Sequence, residues 1–187
     1  MGIIAKIRKI IRSLFLRALL ARVTRENKRV VGLAEARSIG ILYECDNVNN
    51  YRQITGLIKH LEKEGKTIYS LGFVNQNKTP EFTMAQLNSF FCYKKDIGWN
   101  LKIKNPHLQS FFSAGFDILI DTSPGDFFPL KYLAGVTSAS YKAGIFNNDY
   151  LEIFDLLIRE QSNGSLEDRL KQLVKYLEMI NSTSNEQ

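Results

Sequence analysis

Two short stretches gather side chains that could bind a ligand. Glu44-Cys45-Asp46-Asn47 closes one apolar run, and Asp121-Thr122-Ser123-Pro124-Gly125-Asp126 closes another. In an open α/β sheet the carboxyl ends of such runs face ligands. There the carboxylates of Asp46 and Asp126, the Asn47 amide and the Ser123 hydroxyl could hold a sugar, a nucleotide or a metal ion. Asn75-Gln76 and Asn147-Asn148-Asp149 end further runs in the same way. A third stretch, Lys94-Lys95-Asp96-Ile97-Gly98-Trp99, suggests another chemistry, with Trp99 stacked on a ring or sugar and Lys95 against phosphate. Each has a plainer explanation. Asn, Asp, Ser and Gly are what turns and helix caps require, and a buried Trp can anchor a loop whose lysines stay in water.

Reaction signatures are missing. Neither GxGxxG nor GxxxxGK[ST] occurs, so no nucleotide is expected in the usual glycine-rich cradle. Ser123 stands in T-S-P-G rather than G-x-S-x-G, and Pro124 removes the next N–H. Cys45 has no base nearby in sequence and reads as a buried structural thiol. Two cysteines (Cys45, Cys92) and two histidines (His60, His107) show no CxxC or HxxxH spacing, so neither a metal nor a cofactor is expected. His60 falls on the polar side of its helix and His107 at a helix start. Unpaired cysteines suit a reducing compartment, and without a secretory signal the N-x-S/T triplets at Asn77, Asn163 and Asn181 are chance matches.

The net charge of +6 is unevenly spread. Residues 1–31 hold nine cations (Lys6, Arg8, Lys9, Arg12, Arg17, Arg22, Arg25, Lys28, Arg29) against Glu26, a net of +8, and the remainder is −2. Ile3, Ile4, Ile7, Ile10, Ile11, Leu14, Phe15 and Ala18 recur at helical spacing, with Lys6, Lys9, Arg12 and Arg17 opposite. This predicts a basic amphipathic helix over about 3–22, followed by a basic connector to residue 31. The arginines cut its apolar runs to about four residues, short of the roughly 7–15 of a signal peptide or the about 20 of a membrane span. A cytoplasmic protein is expected, with a peripheral place on the inner membrane face as one option. Three partners fit the segment: an anionic membrane surface, an apolar face of its own domain or another protein, and RNA or the ribosome.

Residues 32–181 read as a single α/β domain, with 182–187 a frayed tail. Strands are predicted at Ser38–Tyr43, Thr67–Val74, Phe90–Tyr93, Phe116–Asp121 and Ala139–Ile145. Helices are predicted from the Asn47–Asn50 cap region to Gly65, from Pro106 to Ala114, near Phe128–Gly135, and from a Ser165/Asp168 capping box onward. A helical or irregular piece is read near Met84–Ser89, and Tyr150–Ile158 reads as an edge strand or a short helix. The order implies a three-layer Rossmann-like sandwich with a mostly parallel sheet.

Lys94-Lys95-Asp96-Ile97-Gly98-Trp99, Ile103-Lys104-Asn105, Leu108-Gln109-Ser110-Phe111, Phe116 to Ile120, Leu130-Lys131 and Ala139 to Ile145 together resemble a family of small bacterial proteins known only as a domain of unknown function. The resemblance covers about residues 35–181 and implies no activity, cofactor or catalytic residue. In addition, FDILIDTSPGDFFPLKYLAGVTSASYKAGI is similar to the strand–helix–strand element in the N-terminal half of heptosyltransferase-type glycosyltransferases, where "DLVIDLQ" leads through a helix to "RIG". Those enzymes bind their sugar nucleotide with a second domain, so that likeness implies a lone half.

The expected function is that of a non-enzymatic adaptor docking through residues 1–31 to a membrane surface or a large anionic assembly. The alternatives are a small-molecule binding module, or degenerate transferase half, using the strand ends, and a structural partner whose helix completes an oligomer.

Overall fold

The computed structural model describes residues 28–76, 80–83, 87–98, 102–160 and 164–180. The amphipathic helix read over 3–22, Trp99 and the tail lie outside these residues.

Six strands form one sheet: β1 (Ser38–Glu44), β2 (Thr67–Val74), β3 (Ser89–Tyr93), β4 (Phe116–Asp121), β5 (Ala139–Ile145) and β6 (Leu156–Ile158). Their order is β3-β2-β1-β4-β5-β6, and every neighbouring pair is parallel. The expected mostly parallel sheet is thus wholly parallel. Its central strands are apolar on both sides because helices cover both faces. On one face Ile39, Ile41, Ile68, Ile118 and Ile120 pack beneath α1 (Val48–Lys63) and α4 (Leu166–Met179). On the other, Leu42, Leu71, Phe116 and Leu119 pack against α2 (Gln109–Phe112) and α3 (Phe128–Val136).

The ends of the elements follow from their caps. Asn47 accepts a hydrogen bond from the Asn50 N–H at 2.9 Å and starts α1. Gly65, at φ +80, ends it in the left-handed conformation that side chains resist. Ser165 and Asp168 form the reciprocal box that opens α4. Two segments differ from the sequence reading. Pro106 opens a 3₁₀ turn (Pro106–Leu108) before the single α turn of α2, since Asn105 already caps the His107 N–H at 3.1 Å. Within Tyr150–Ile158 only the last three residues pair as β6, because Ile153 and Phe154 turn inward to fill the core instead.

The basic connector is part of the fold. Lys28 pairs with Asp155 at 2.9 Å, and the Arg29 guanidinium reaches Glu35 at 2.8 Å and Asp117 at 3.4 Å. Val31 and Leu33 are buried, and the Leu33 N–H donates to the Leu177 carbonyl at 2.9 Å. A Cβ at Gly32 would collide with the Ile180 carbonyl, so only glycine lets the connector lie this close to the end of α4. Asp117, at the start of β4, ties the connector to β1 by accepting the N–H groups of Arg37 (2.9 Å) and Ser38 (3.0 Å).

Burial works to raise the Asp117 pKa. Hydrogen bonds from Ser38 and Arg37 and the Arg29 charge outweigh it and hold the carboxyl below the usual carboxylate value. A carboxyl lowered in the folded state contributes stability above its unfolded pKa, about 3.9, and loses it as pH falls through the folded value. Asp117→Asn should therefore lower the urea midpoint at pH 7, and the gap to the wild type should close as unfolding is repeated below about pH 4.

Candidate functional site

β1 pairs with β2 on one side and with β4 on the other, so the chain leaves the two central strands in opposite directions. At such a switch point the flanking loops part and an open α/β sheet receives its ligand. Glu44, Cys45, Asp46 and Asn47 come from the β1 side, and Asp121 to Asp126 from the β4 side. The structure therefore brings Asp46, Asn47, Ser123 and Asp126 to one edge of the sheet. Lys95 lies at the end of β3, two strands from β1, with its ammonium 5.4 Å from the Tyr93 ring centroid. Neighbouring Asp96 is buried and accepts the Tyr93 N–H at 2.9 Å. Trp99 is outside the described residues, so its place beside Lys95 rests on sequence.

The strand-end groups differ sharply in exposure. Asp46, Asn47 and Asp126 are open to solvent, whereas Asp121, Thr122 and Ser123 are buried. Asp46 accepts the side-chain amides of Asn47 and Asn50, each at 2.9 Å, which stiffens the first turn of α1. Asp121 is fully buried. One oxygen accepts the Ser123 N–H (2.9 Å) and hydroxyl (2.6 Å), and the other accepts the Lys131 ammonium (2.7 Å). Lys131 is also fully buried, and donates to the Ser123 hydroxyl at 3.0 Å and its carbonyl at 3.3 Å. Side chains lean toward the start of their helix, so a lysine one turn into α3 reaches back to the β4 end.

Four further cations are held by the fold, Arg169 at this edge and the others elsewhere. The Arg169 guanidinium, from the first turn of α4, donates to the Thr122 carbonyl (3.0 Å), the Gly164 carbonyl (3.1 Å) and Glu160 (2.7 Å). The buried Lys142 ammonium, on β5, donates to the Ala134 carbonyl at 2.7 Å and lies at the C-terminal end of α3, where cations are favoured. Lys28 and Arg29, read in sequence as ligands for an anionic partner, are held in the ion pairs described above. The other seven members of that set, Lys6, Arg8, Lys9, Arg12, Arg17, Arg22 and Arg25, lie outside the described residues.

This geometry sets limits on chemistry. Ser123 with Lys131 at 3.0 Å has the spacing of a nucleophile and its base, yet both are sealed from solvent and Asp121 holds the lysine charge. The constellation is a structural lock. Burial, with Asp46 beside it, pushes the Cys45 thiol up to about 11, and burial with Asp96 pushes Cys92 up to about 12, so neither is a thiolate near neutral pH. Among the described residues no group of His, Cys, Asp and Glu is arranged to hold a metal ion, and no helix is long and apolar enough to cross a membrane. Glu44 closes β1 at this edge and is half-buried. Half-burial raises its pKa, Asp46, Asp121 and Asp126 add to the rise, and Arg169 opposes it.

Sequence reasoning missed Lys131, Lys142 and Arg169. The signal for the two lysines was present. Each is a lone charge inside an element apolar on every other side, FPLKYLAGV and ASYKAGI, where an unpaired ammonium would be prohibitive.

The family described as "Family of unknown function (DUF6913)" matches residues 8–180, and the chain belongs to it. Among curated proteins nothing matches. Two solved structures are similar in fold. E. coli heptosyltransferase WaaC with ADP superposes with a TM-score of 0.50 at 10% identity, over 79% of this chain and 49% of that one. A glycosyl transferase family 9 protein from Veillonella parvula gives 0.51 at 14% identity, over 86% of this chain and 45% of that one. The chain thus spans about half the length of the solved structures it matches. At such identities the likeness speaks for the Rossmann-like fold alone.

Lys131→Met leaves Asp121 buried without its partner and should cost about 3–5 kcal/mol in urea unfolding. Pairing it with Asp121→Asn should recover much of that loss, which separates the orphaned charge from lost packing.

Proposed function

We propose that the chain is a non-enzymatic adaptor. The cations of residues 1–31 attach its α/β domain to an anionic surface, either a membrane face or a large anionic assembly such as the ribosome. One observation above all supports this reading. The buried polar groups at the switch point are already engaged with one another: Asp121 with Lys131 and Ser123, and Thr122 with Arg169. The rigid connector adds to it. Residues 28–33, which follow the cation-rich stretch directly in sequence, are fastened at the amino-terminal edge of the sheet, opposite the strand-end face.

The test uses the full-length chain and a variant with Lys6, Lys9, Arg12 and Arg17 all replaced by Gln. Both are sedimented with neutral phosphatidylcholine vesicles, anionic phosphatidylglycerol vesicles and purified ribosomes at 50 and 200 mM salt. The wild type should pellet with one anionic partner and not with neutral vesicles. At roughly 1 kcal/mol per cation near an anionic surface, the variant should bind on the order of a hundredfold or more weakly. Added salt should release the wild type from ribosomes steeply. Absence of wild-type binding to every anionic partner at low salt would sink the reading.

A second reading has its own support in Glu44. Its raised pKa, the exposed Asp46, Asn47 and Asp126 around it, and a fold shared with half of a heptosyltransferase suit a sugar- or nucleotide-binding module. Saturating ADP or a nucleoside-diphosphate sugar should then raise Tm by several degrees in the wild type and less in Glu44→Gln. No shift in either protein rejects it.

A further inference from the structure

The flank of α1 turned away from the sheet carries a groove. Its wider part, about 470 Å³, is lined by Val48, Tyr51, Thr55, Gly56 and Phe82, with Arg52 and Lys59 standing over it. Past Lys59 it narrows to about 260 Å³ over Ile58, Ile68 and Leu87, with Glu62 beside them. From Val48 to Glu62 it follows the helix for about 21 Å, at roughly 1.5 Å per residue.

Three features of this groove are not accounted for by the domain's own packing. The first is apolar surface. The Tyr51 and Phe82 rings meet at 5.8 Å between centroids, and Val48 beside them is 41% exposed. The second is Gly56. It stands in the interior of α1, where glycine disfavours the helix more than any residue but proline. A Cβ placed there meets nothing within 4 Å, so no close approach among the described residues requires it. The third is charge. Arg52 and Lys59 are seven residues apart, two turns along one helix face, so about 10 Å separates them along the axis. Neither joins an ion pair or a hydrogen bond among the described residues. Residues 48, 49, 55 and 56, the helical neighbours of Arg52, include no carboxylate.

We propose that this groove receives an acidic amphipathic helix of a partner protein. An apolar stripe at spacings of three and four lies on Val48, Tyr51 and Phe82, and two carboxylates flanking it, two turns apart, meet Arg52 and Lys59. The bare backbone at Gly56 then has a use, because the distance between packed helices is set by the side chains between them. About 14 partner residues fill the length. Glu62 sets the direction: it repels a carboxylate at the narrow end and leaves the partner's acids to the half nearer Val48. A small ligand suits the place less well. Such a ligand needs a cleft that encloses most of its surface, whereas this groove is long and one of its apolar walls is the exposed Val48. The inference goes beyond the adaptor reading, since none of residues 1–31 lines the groove.

Selection of a displayed library of helical peptides, each about 14 residues long, against the full-length chain tests it. Recovered peptides should carry an apolar stripe flanked by acids two turns apart. Their affinities are then measured by fluorescence anisotropy. Arg52→Glu combined with Lys59→Glu should weaken binding at least about tenfold. Gly56→Leu should weaken it comparably, because it fills the groove and keeps every cation of the chain. Val48→Asp is the second filling-independent variant: it sets a like charge beneath the peptide and, at an exposed position, spares the core. Replacing Lys6, Lys9, Arg12 and Arg17 by Gln should leave binding unchanged, which separates this contact from the proposed anionic attachment. Four results would each overturn the proposal: no enriched peptide, enriched peptides without acids, binding that survives both Gly56→Leu and Val48→Asp, or binding lost in the four-Gln variant. A dimer of the wild type that Val48→Asp dissociates would also overturn it, by placing a second copy in the groove.

Discussion

The pairing of Asp121 with Lys131 is the constraint on which the carboxyl edge of the sheet depends. Neither charge could be buried alone, and together they are sustained only because Ser123 supplies two further donors to the carboxylate and two acceptors to the ammonium. Everything nearby follows from that closed arrangement. The turn after β4 is drawn inward, so Ser123 points into the protein rather than into the crevice. α3 is held near its start by Lys131 and at its end by Lys142. The Thr122 carbonyl is presented to Arg169, which bolts the start of α4 over the switch point. An edge that many α/β sheets keep open for a ligand is here largely occupied by the protein's own groups.

The opposite edge is organised by a different carboxylate. Asp117 receives backbone N–H groups from the residues entering β1 and a guanidinium from the connector, so the strand start and the incoming chain share one anchor. Asp155 does the same for Lys28 and for the Lys142 N–H at 2.9 Å. Polar chemistry thus divides by edge: buried locks at the carboxyl ends, connector anchors at the amino ends.

Much of the fold was legible in the sequence because parallel strands and capped helices leave local marks. The run Thr67–Val74 and the Asn47, Gly65 and Ser165/Asp168 caps each appear where the residue types place them. The losses have physical causes. Ile153 and Phe154 have the composition of a strand, but their burial is set by the other face of the sheet, which no local pattern reports. Ser123 and Asp126 sit three residues apart with similar turn propensities, yet one is sealed and the other open. What separates them is Lys131, a turn further along the chain, together with Asp121. Arg169 left no sequence mark, since an arginine in the first turn of an amphipathic helix looks the same whether it meets solvent or a carbonyl from β4.

The balance of the two sheet faces carries the last step. A wholly parallel sheet needs cover on both sides. On the α3 side, Cys92 of β3 is buried against Phe111 and its neighbours, while Phe90 meets the Phe111 ring and is only partly buried. On the α1 side, Phe91 and Tyr93 of the same strand are only partly buried. The aromatic residues of this strand are thus half-open on both faces, whereas Ile68, Ser70, Leu71 and Val74 of the adjoining β2 are all buried. The cover therefore thins only at the last strand, where the sheet ends, and not over one whole face.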